Sequence, residues 1–189
     1  MKLLQEFNVA GAPGRVWDVF QDVPRIARCL PGTELTESDG DEHSGIVKVK
    51  LGPMTTSFEG RAAVEINAAE KTGRIVGSGV DRRAGSRGRV DLTYRVEPDG
   101  DGTKVSLDTD LTLTGTAAQF GRQGIINEIA RRMIEEFVVC LEALLAAPDA
   151  DTADTIRAGE IKGFRLVITG IWRTLIGAFK RLLHRGDPG

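Results

Sequence analysis

Two histidines, two cysteines and one tyrosine are all that 189 residues contain of the side chains that most often do chemistry near neutral pH. His43 adjoins the acidic turn Asp39-Gly40-Asp41-Glu42 and His184 lies close to the C-terminal end. No His, Cys and carboxylate grouping therefore has the spacing of a metal site. Cys29 and Cys140 are too few and too isolated for a disulfide framework, the usage expected of a reducing compartment, and neither has a histidine nearby in sequence to act as base. Carboxylate pairs such as Glu135-Glu136 diverge on a helix and read as a solvated face rather than an acid/base pair. Glycine is plentiful at 23 residues, yet none forms a phosphate-cradling loop between a strand and a helix. The expectation is a protein that is not an enzyme, with no catalytic residue, no metal and no covalently bound cofactor.

The near-neutral total of −2 hides an asymmetry. Residues 1–156 carry an excess of carboxylates, whereas Arg157 to Gly189 carry an excess of cations. An acidic body does not suit a phosphate backbone, so nucleic acid is excluded as a partner. The cationic tail is amphipathic: Phe164, Val167, Ile168, Ile171, Trp172, Leu175, Phe179 and Leu182 share one helical face, and Lys162, Arg173 and Lys180 stack on the other. That pattern suits a helix lying in the interface of an anionic membrane. It does not suit a span, because Arg173 would sit near the bilayer centre at a cost of about 3 kcal/mol. The start, MKLLQEFNVA, lacks the apolar core of a signal peptide and alternates like a strand. These readings place the chain in the cytoplasm, peripheral on the inner face of the cell membrane.

Alternation and turn residues predict the body. Residues 3–10 read as a strand, and Ala12-Pro13-Gly14 and Asp22-Val23-Pro24 open two short helices. Six further strands follow near 33–38, 42–51, 55–68, 73–80, 87–97 and 103–114, broken by Gly and Asp clusters and predicting an antiparallel meander. A long helix is expected over 117–146, ended by Pro148. The chain thus divides into a domain at 1–147, a flexible linker at 148–157 and the amphipathic helix at 158–185. A curved sheet around one long helix either closes on an ordinary core or encloses an apolar cavity. Gly60, Ala62, Ala63, Gly77 and Gly79 leave volume that the scarce aromatics, 5% of the chain, cannot fill, which favours the cavity. Arg82, Arg83, Arg87 and Arg89 crowd one hairpin of the acidic body, either as a solvated turn or as a docking site for an acidic partner or membrane.

Several segments together resemble a known family. They are Val16-Trp17-Asp18-Val19-Phe20-Gln21-Asp22, Cys29-Leu30-Pro31-Gly32, Leu51-Gly52-Pro53-Met54 with Phe58-Glu59-Gly60, and Ala117-Ala118-Gln119-Phe120-Gly121. They resemble the carbon monoxide dehydrogenase CoxG family of the START-like (SRPBCC) superfamily, over roughly residues 1–146. The resemblance implies an α+β helix-grip fold, in which a curved seven-stranded antiparallel sheet wraps a long C-terminal helix and two short helices follow strand 1. It also implies a cavity for hydrophobic molecules and association with a molybdenum-containing carbon monoxide dehydrogenase or a related hydroxylase. The cargo expected is an isoprenoid quinone, menaquinone or ubiquinone, carried between membrane and enzyme. Strand parity and helix facing nominate Phe20, Leu30, Met54, Phe58, Tyr94, Leu111, Phe120, Ile126, Met133 and Phe137 as lining. The competing expectation is a membrane anchor or assembly factor without cargo, which would tolerate a plugged cavity where a carrier would not.

Overall fold

The computed structural model describes residues 1–51, 54–147 and 150–158, and the alternating runs form one seven-stranded antiparallel sheet. The strands are β1 (Lys2–Val9), β2 (Thr33–Asp39), β3 (Glu42–Leu51), β4 (Met54–Asn67), β5 (Thr72–Asp81), β6 (Ser86–Asp99) and β7 (Gly102–Gly115). Their order is β1-β7-β6-β5-β4-β3-β2, so β2 to β7 form a meander and β1 closes beside β7. Alternation decides the faces. In β6, Val90, Leu92, Tyr94 and Val96 turn inward while Asp91, Thr93 and Arg95 turn outward, and Asp91 pairs with Arg74 at 2.7 Å on the outer face.

A line of glycines crosses the inner face. Gly45 lies opposite Gly60, Gly60 opposite Gly79, and Gly79 opposite Gly88. A Cβ on Gly60 would collide with the Ser78 carbonyl, and one on Gly45 would stand 2.6 Å from the Glu34 carbonyl oxygen. The absent side chains therefore let neighbouring strands close on one another, which is how a sheet bends sharply. The expected unfilled volume is partly taken up here, because the Phe58 ring lies 3.6 Å from where a Gly88 Cβ would be.

Two helices follow β1. In α1 (Pro13–Gln21) proline occupies the first turn, and Val16, Trp17, Val19 and Phe20 are buried. In α2 (Val23–Ala27) the Asp22 side chain accepts from the Arg25 N–H at 3.1 Å. The long helix expected over 117–146 begins later. Thr116–Phe120 form a 3-10 turn, Gly121 and Arg122 interrupt it, and α3 runs over Gln123–Ala146. It packs mainly on β1 and again on β3, which lie towards opposite ends of the strand order, so β7, β6, β5 and β4 arch between its two supports. Arg15 donates to the Leu145 carbonyl at 2.7 Å and ties α1 to the C-terminal end of α3.

Two expectations are corrected. Cys29 and Cys140 are not isolated: they form a disulfide with Cα atoms 5.3 Å apart, and both are fully buried. The sequence separation of 111 residues hid a proximity that only the folding of α2 against α3 creates. Cysteine usage therefore no longer points to a reducing compartment. Within the expected linker, α4 (Ala150–Thr155) is helical, Ala153 is buried, and the Ala158 N–H donates to the Arg28 carbonyl at 3.0 Å. Ordered chain thus continues past Ala147, and the compact unit covers Met1–Ala158. None of the described helices is long and apolar enough to cross a membrane. The amphipathic segment, including Lys162, Phe164, Val167, Ile168, Ile171, Trp172, Arg173, Leu175, Phe179, Lys180 and Leu182, lies outside the described residues.

Candidate functional site

The inner face of the arch is apolar without being sealed. Val47 on β3, Ile75 on β5, Val90 and Leu92 on β6, Leu107 on β7 and Met133 on α3 are all only half-buried. In a closed core such side chains reach full burial. A helix held at two separated strands, above a half-buried apolar arch, leaves a crevice into which apolar cargo fits.

Two clusters bound this crevice. At one end, Phe20 stacks near Tyr94 at 5.2 Å and meets Phe137 edge-on at 6.2 Å, while Phe7 meets Phe137 edge-on at 5.8 Å. Trp17 completes the group, 6.5 Å from Tyr94. The Tyr94 ring lies flat on Gly73, where any Cβ would strike it, and burial pushes its hydroxyl pKa up. At the other end, Leu3, Leu51, Ala117 and Ile126 are buried together, with Val49, Phe58, Leu111, Leu113, Phe120 and Ile129 packed around them.

The nominated residues divide accordingly. Phe20, Tyr94 and Phe137 meet in the aromatic cluster, and Phe58, Leu111, Phe120 and Ile126 meet in the aliphatic one. Met133 lies on α3 between the two, and Met54 is half-buried at the start of β4. Leu30 is 37% exposed on the connection from α2 to β2, where strand parity gives no guidance. Phe7 and Trp17, legible as apolar positions on β1 and α1, belong with the nominated set.

His43 is the residue that sequence reasoning passed over. It follows an acidic turn and looks solvated, yet its place in β3 puts it on the inner face opposite Ala62, 6% exposed. Its Nδ1 lies 2.7 Å from the Ser38 hydroxyl at the sheet edge, and its Nε2 is buried with no hydrogen-bond partner. The available signal was parity: His43 shares the inward register of Val47, Val49 and Leu51. A buried, unsatisfied ring nitrogen costs about 1–3 kcal/mol, and a ligand oxygen or hydroxyl would recover it. Arg25 Nε is likewise buried without a partner.

Arg82, Arg83, Arg87 and Arg89 are carried by the β5–β6 hairpin, the first three of them fully exposed and Arg89 further along β6. Asp81 organises this turn, accepting from the N–H groups of Ser57 at 2.8 Å, Arg83 at 3.0 Å and Ala84 at 2.9 Å. Those bonds, with Ala84's the largest, hold its carboxyl below the usual range. The outer face carries only a shallow trough of about 530 Å³ between the rows Leu4–Asp108–Thr93 and Glu6–Ser106–Arg95. Among the described residues no group of His, Cys, Asp and Glu is placed to hold a metal ion.

The fold has many solved counterparts. A conserved protein from Geobacillus kaustophilus superposes with a TM-score of 0.67 at 13% identity, covering 77% of this chain and 95% of its own. The Zhui aromatase/cyclase from a Streptomyces species gives 0.54 at 14% identity, covering 77% and 93%. A STAR-related lipid transfer protein from Xanthomonas axonopodis gives 0.53 at 15% identity, covering 74% and 85%. At such identities the likeness shows a shared helix-grip fold alone. Comparison with curated proteins finds no match. The sequence itself matches the family model of the carbon monoxide dehydrogenase component CoxG over residues 6–146, and the chain belongs to that family.

Proposed function

We propose that this protein carries a hydrophobic molecule, an isoprenoid quinone such as menaquinone or ubiquinone, between a bilayer and a molybdenum-containing carbon monoxide dehydrogenase or related hydroxylase. The observation that carries the reading is the half-buried apolar arch beneath α3, closed by aromatic rings at one end and aliphatic side chains at the other. Transfer asks only for a greasy pocket with a polar contact for the headgroup, and the His43 Nε2 supplies such a contact for a carbonyl or hydroxyl. Family membership supports the dehydrogenase as recipient. The basic amphipathic pattern of residues 158–185 supports residence at the inner face of the membrane, on the cytoplasmic side.

The test is organic extraction of detergent-free full-length protein followed by mass spectrometry, beside a Val90→Trp variant that fills the arch. Near-stoichiometric quinone, lost in the variant while its circular dichroism is kept, is the expected outcome. No cargo, or membrane coupling of the dehydrogenase that survives the filled arch, would replace the carrier with an anchor.

A further inference from the structure

The strands give the domain two ends of opposite charge. The β2–β3, β4–β5 and β6–β7 turns share one end and expose Asp39, Asp41, Glu42, Glu70, Asp99 and Asp101, with Lys71 as the counter-charge in these turns. The other end exposes Arg82, Arg83 and Arg87 together with the Met1 ammonium, and Lys50 and Arg122 lie on the same side. Its turn carboxylate, Asp81, is buried and engaged by three backbone N–H groups. The N-terminus of α3 lies at this end too, and its dipole adds to the positive potential.

Tertiary contacts join these parts into one surface. The Ala117 N–H donates to the Ser86 hydroxyl at 2.9 Å, which brings the 3-10 turn to the arginine hairpin. A Cβ on Gly121 would touch Met1 Cε at 3.4 Å, and the Met1 ammonium donates to the Leu111 carbonyl at 2.6 Å. Leu51 packs with Ala117 and Ile126, which adds the end of β3. Apolar side chains stand among the cations: Ile125 is 38% exposed, Met1 37%, and Phe120 half-buried. Arg82, Arg87 and Arg122 make no ion pair among the described residues.

We propose that this basic end docks on an anionic lipid surface, so that the aliphatic end of the crevice opens towards the bilayer. The proposal rests on the reading that the cargo is lipid-soluble. Guanidinium forks match phosphate headgroups, and exposed aliphatic groups beside them enter the acyl boundary, a mixture that a purely acidic protein face would not reward. The acidic end then faces away from the leaflet, which repels it. The domain is thereby oriented by its own charge, in addition to whatever the tail contributes.

Hydrogen exchange of the full-length protein, with and without phosphatidylcholine vesicles containing phosphatidylglycerol, tests this directly. Protection is expected at residues 82–87 and 120–126, absent with phosphatidylcholine alone and weakened by salt. The turns at 39–42 and 99–102 should exchange unchanged. The triple variant R82S/R83S/R87S, whose fold is checked by thermal unfolding, should lose vesicle affinity by roughly a hundredfold. Protection at the acidic turns, or none in the domain, would overturn the proposal. So would a triple variant that binds vesicles as the parent does but fails to bind the dehydrogenase, since that assigns the end to an acidic protein. Quinone is assayed in the same preparations: its absence beside intact protection would sink the carrier reading and leave this orientation standing.

Discussion

The two ends of the crevice are closed by different means. At the aromatic end, rings from β1, α1, β6 and α3 interlock, and the Cys29–Cys140 bond fastens the end of α2 to α3. At the aliphatic end, four buried side chains are surrounded by half-buried ones, and no covalent tie joins them. Aromatic interlocking with a cross-link makes a fixed floor. Aliphatic side chains around an uncrosslinked 3-10 turn make a closure that can part. Rigidity and opening are thus assigned to opposite ends of one apolar surface.

Removing the floor's tie should have the largest effect. Closing a loop of this length stabilises by about 4–5 kcal/mol in the chain-entropy account, so C29S/C140S should lower the unfolding free energy by about that much in urea titrations. A loss near zero would mean that the floor holds without its cross-link. Next, Phe137→Ala should cost about 3–5 kcal/mol, whereas Ile126→Ala should cost only about 2 kcal/mol because its half-buried surroundings can collapse. Equal losses would erase the distinction between floor and closure. Gly60→Ala, placed where the sheet bends, should cost about 1–3 kcal/mol by forcing β4 from β5. An unchanged urea midpoint there would show that the bend does not depend on the glycine line.

The smallest effect is a pH dependence on the outer side of α3. Side-chain hydrogen bonds from Arg131 and Arg132 lower the Glu128 pKa to about 2. A carboxylate depressed in the fold contributes stability above its unfolded value, near 4.5, and loses it as pH falls towards 2. Because the group is exposed, the drop in urea midpoint between about pH 5 and pH 2.5 should be slight, and E128Q should flatten it. A dependence as steep as that of a core substitution would place a load on this surface that its geometry does not support.

Much of the fold was legible, because alternation reports faces directly. β3 runs from Glu42 to Leu51 as expected, and the other strands differ from expectation by a residue or two at their ends. Alternation says less about distance through space. It placed Phe20 and Tyr94 on inward faces but could not show their rings 5.2 Å apart. It could not join Cys29 to Cys140, whose meeting depends on α3 returning across the whole sheet. His43 was misjudged through its acidic neighbours, although its register spoke for burial. The glycines were read as missing volume, whereas at Gly60 they serve close strand approach.

The cross-link also decides how the molecule bears a pull. Everything between positions 29 and 140, from β2 to most of α3, forms a covalent ring from which the two terminal portions emerge at adjoining points. Tension applied between the chain's ends therefore passes from one sulfur to the other, and β2 to β6 are spared it. The seam that feels the load is β1 against β7, which runs from Lys2–Asp110 to Val9–Thr103 and opens only when its whole register is broken. A tug through the C-terminal segment would reach the sheet's edge while the arch over which α3 lies keeps its shape.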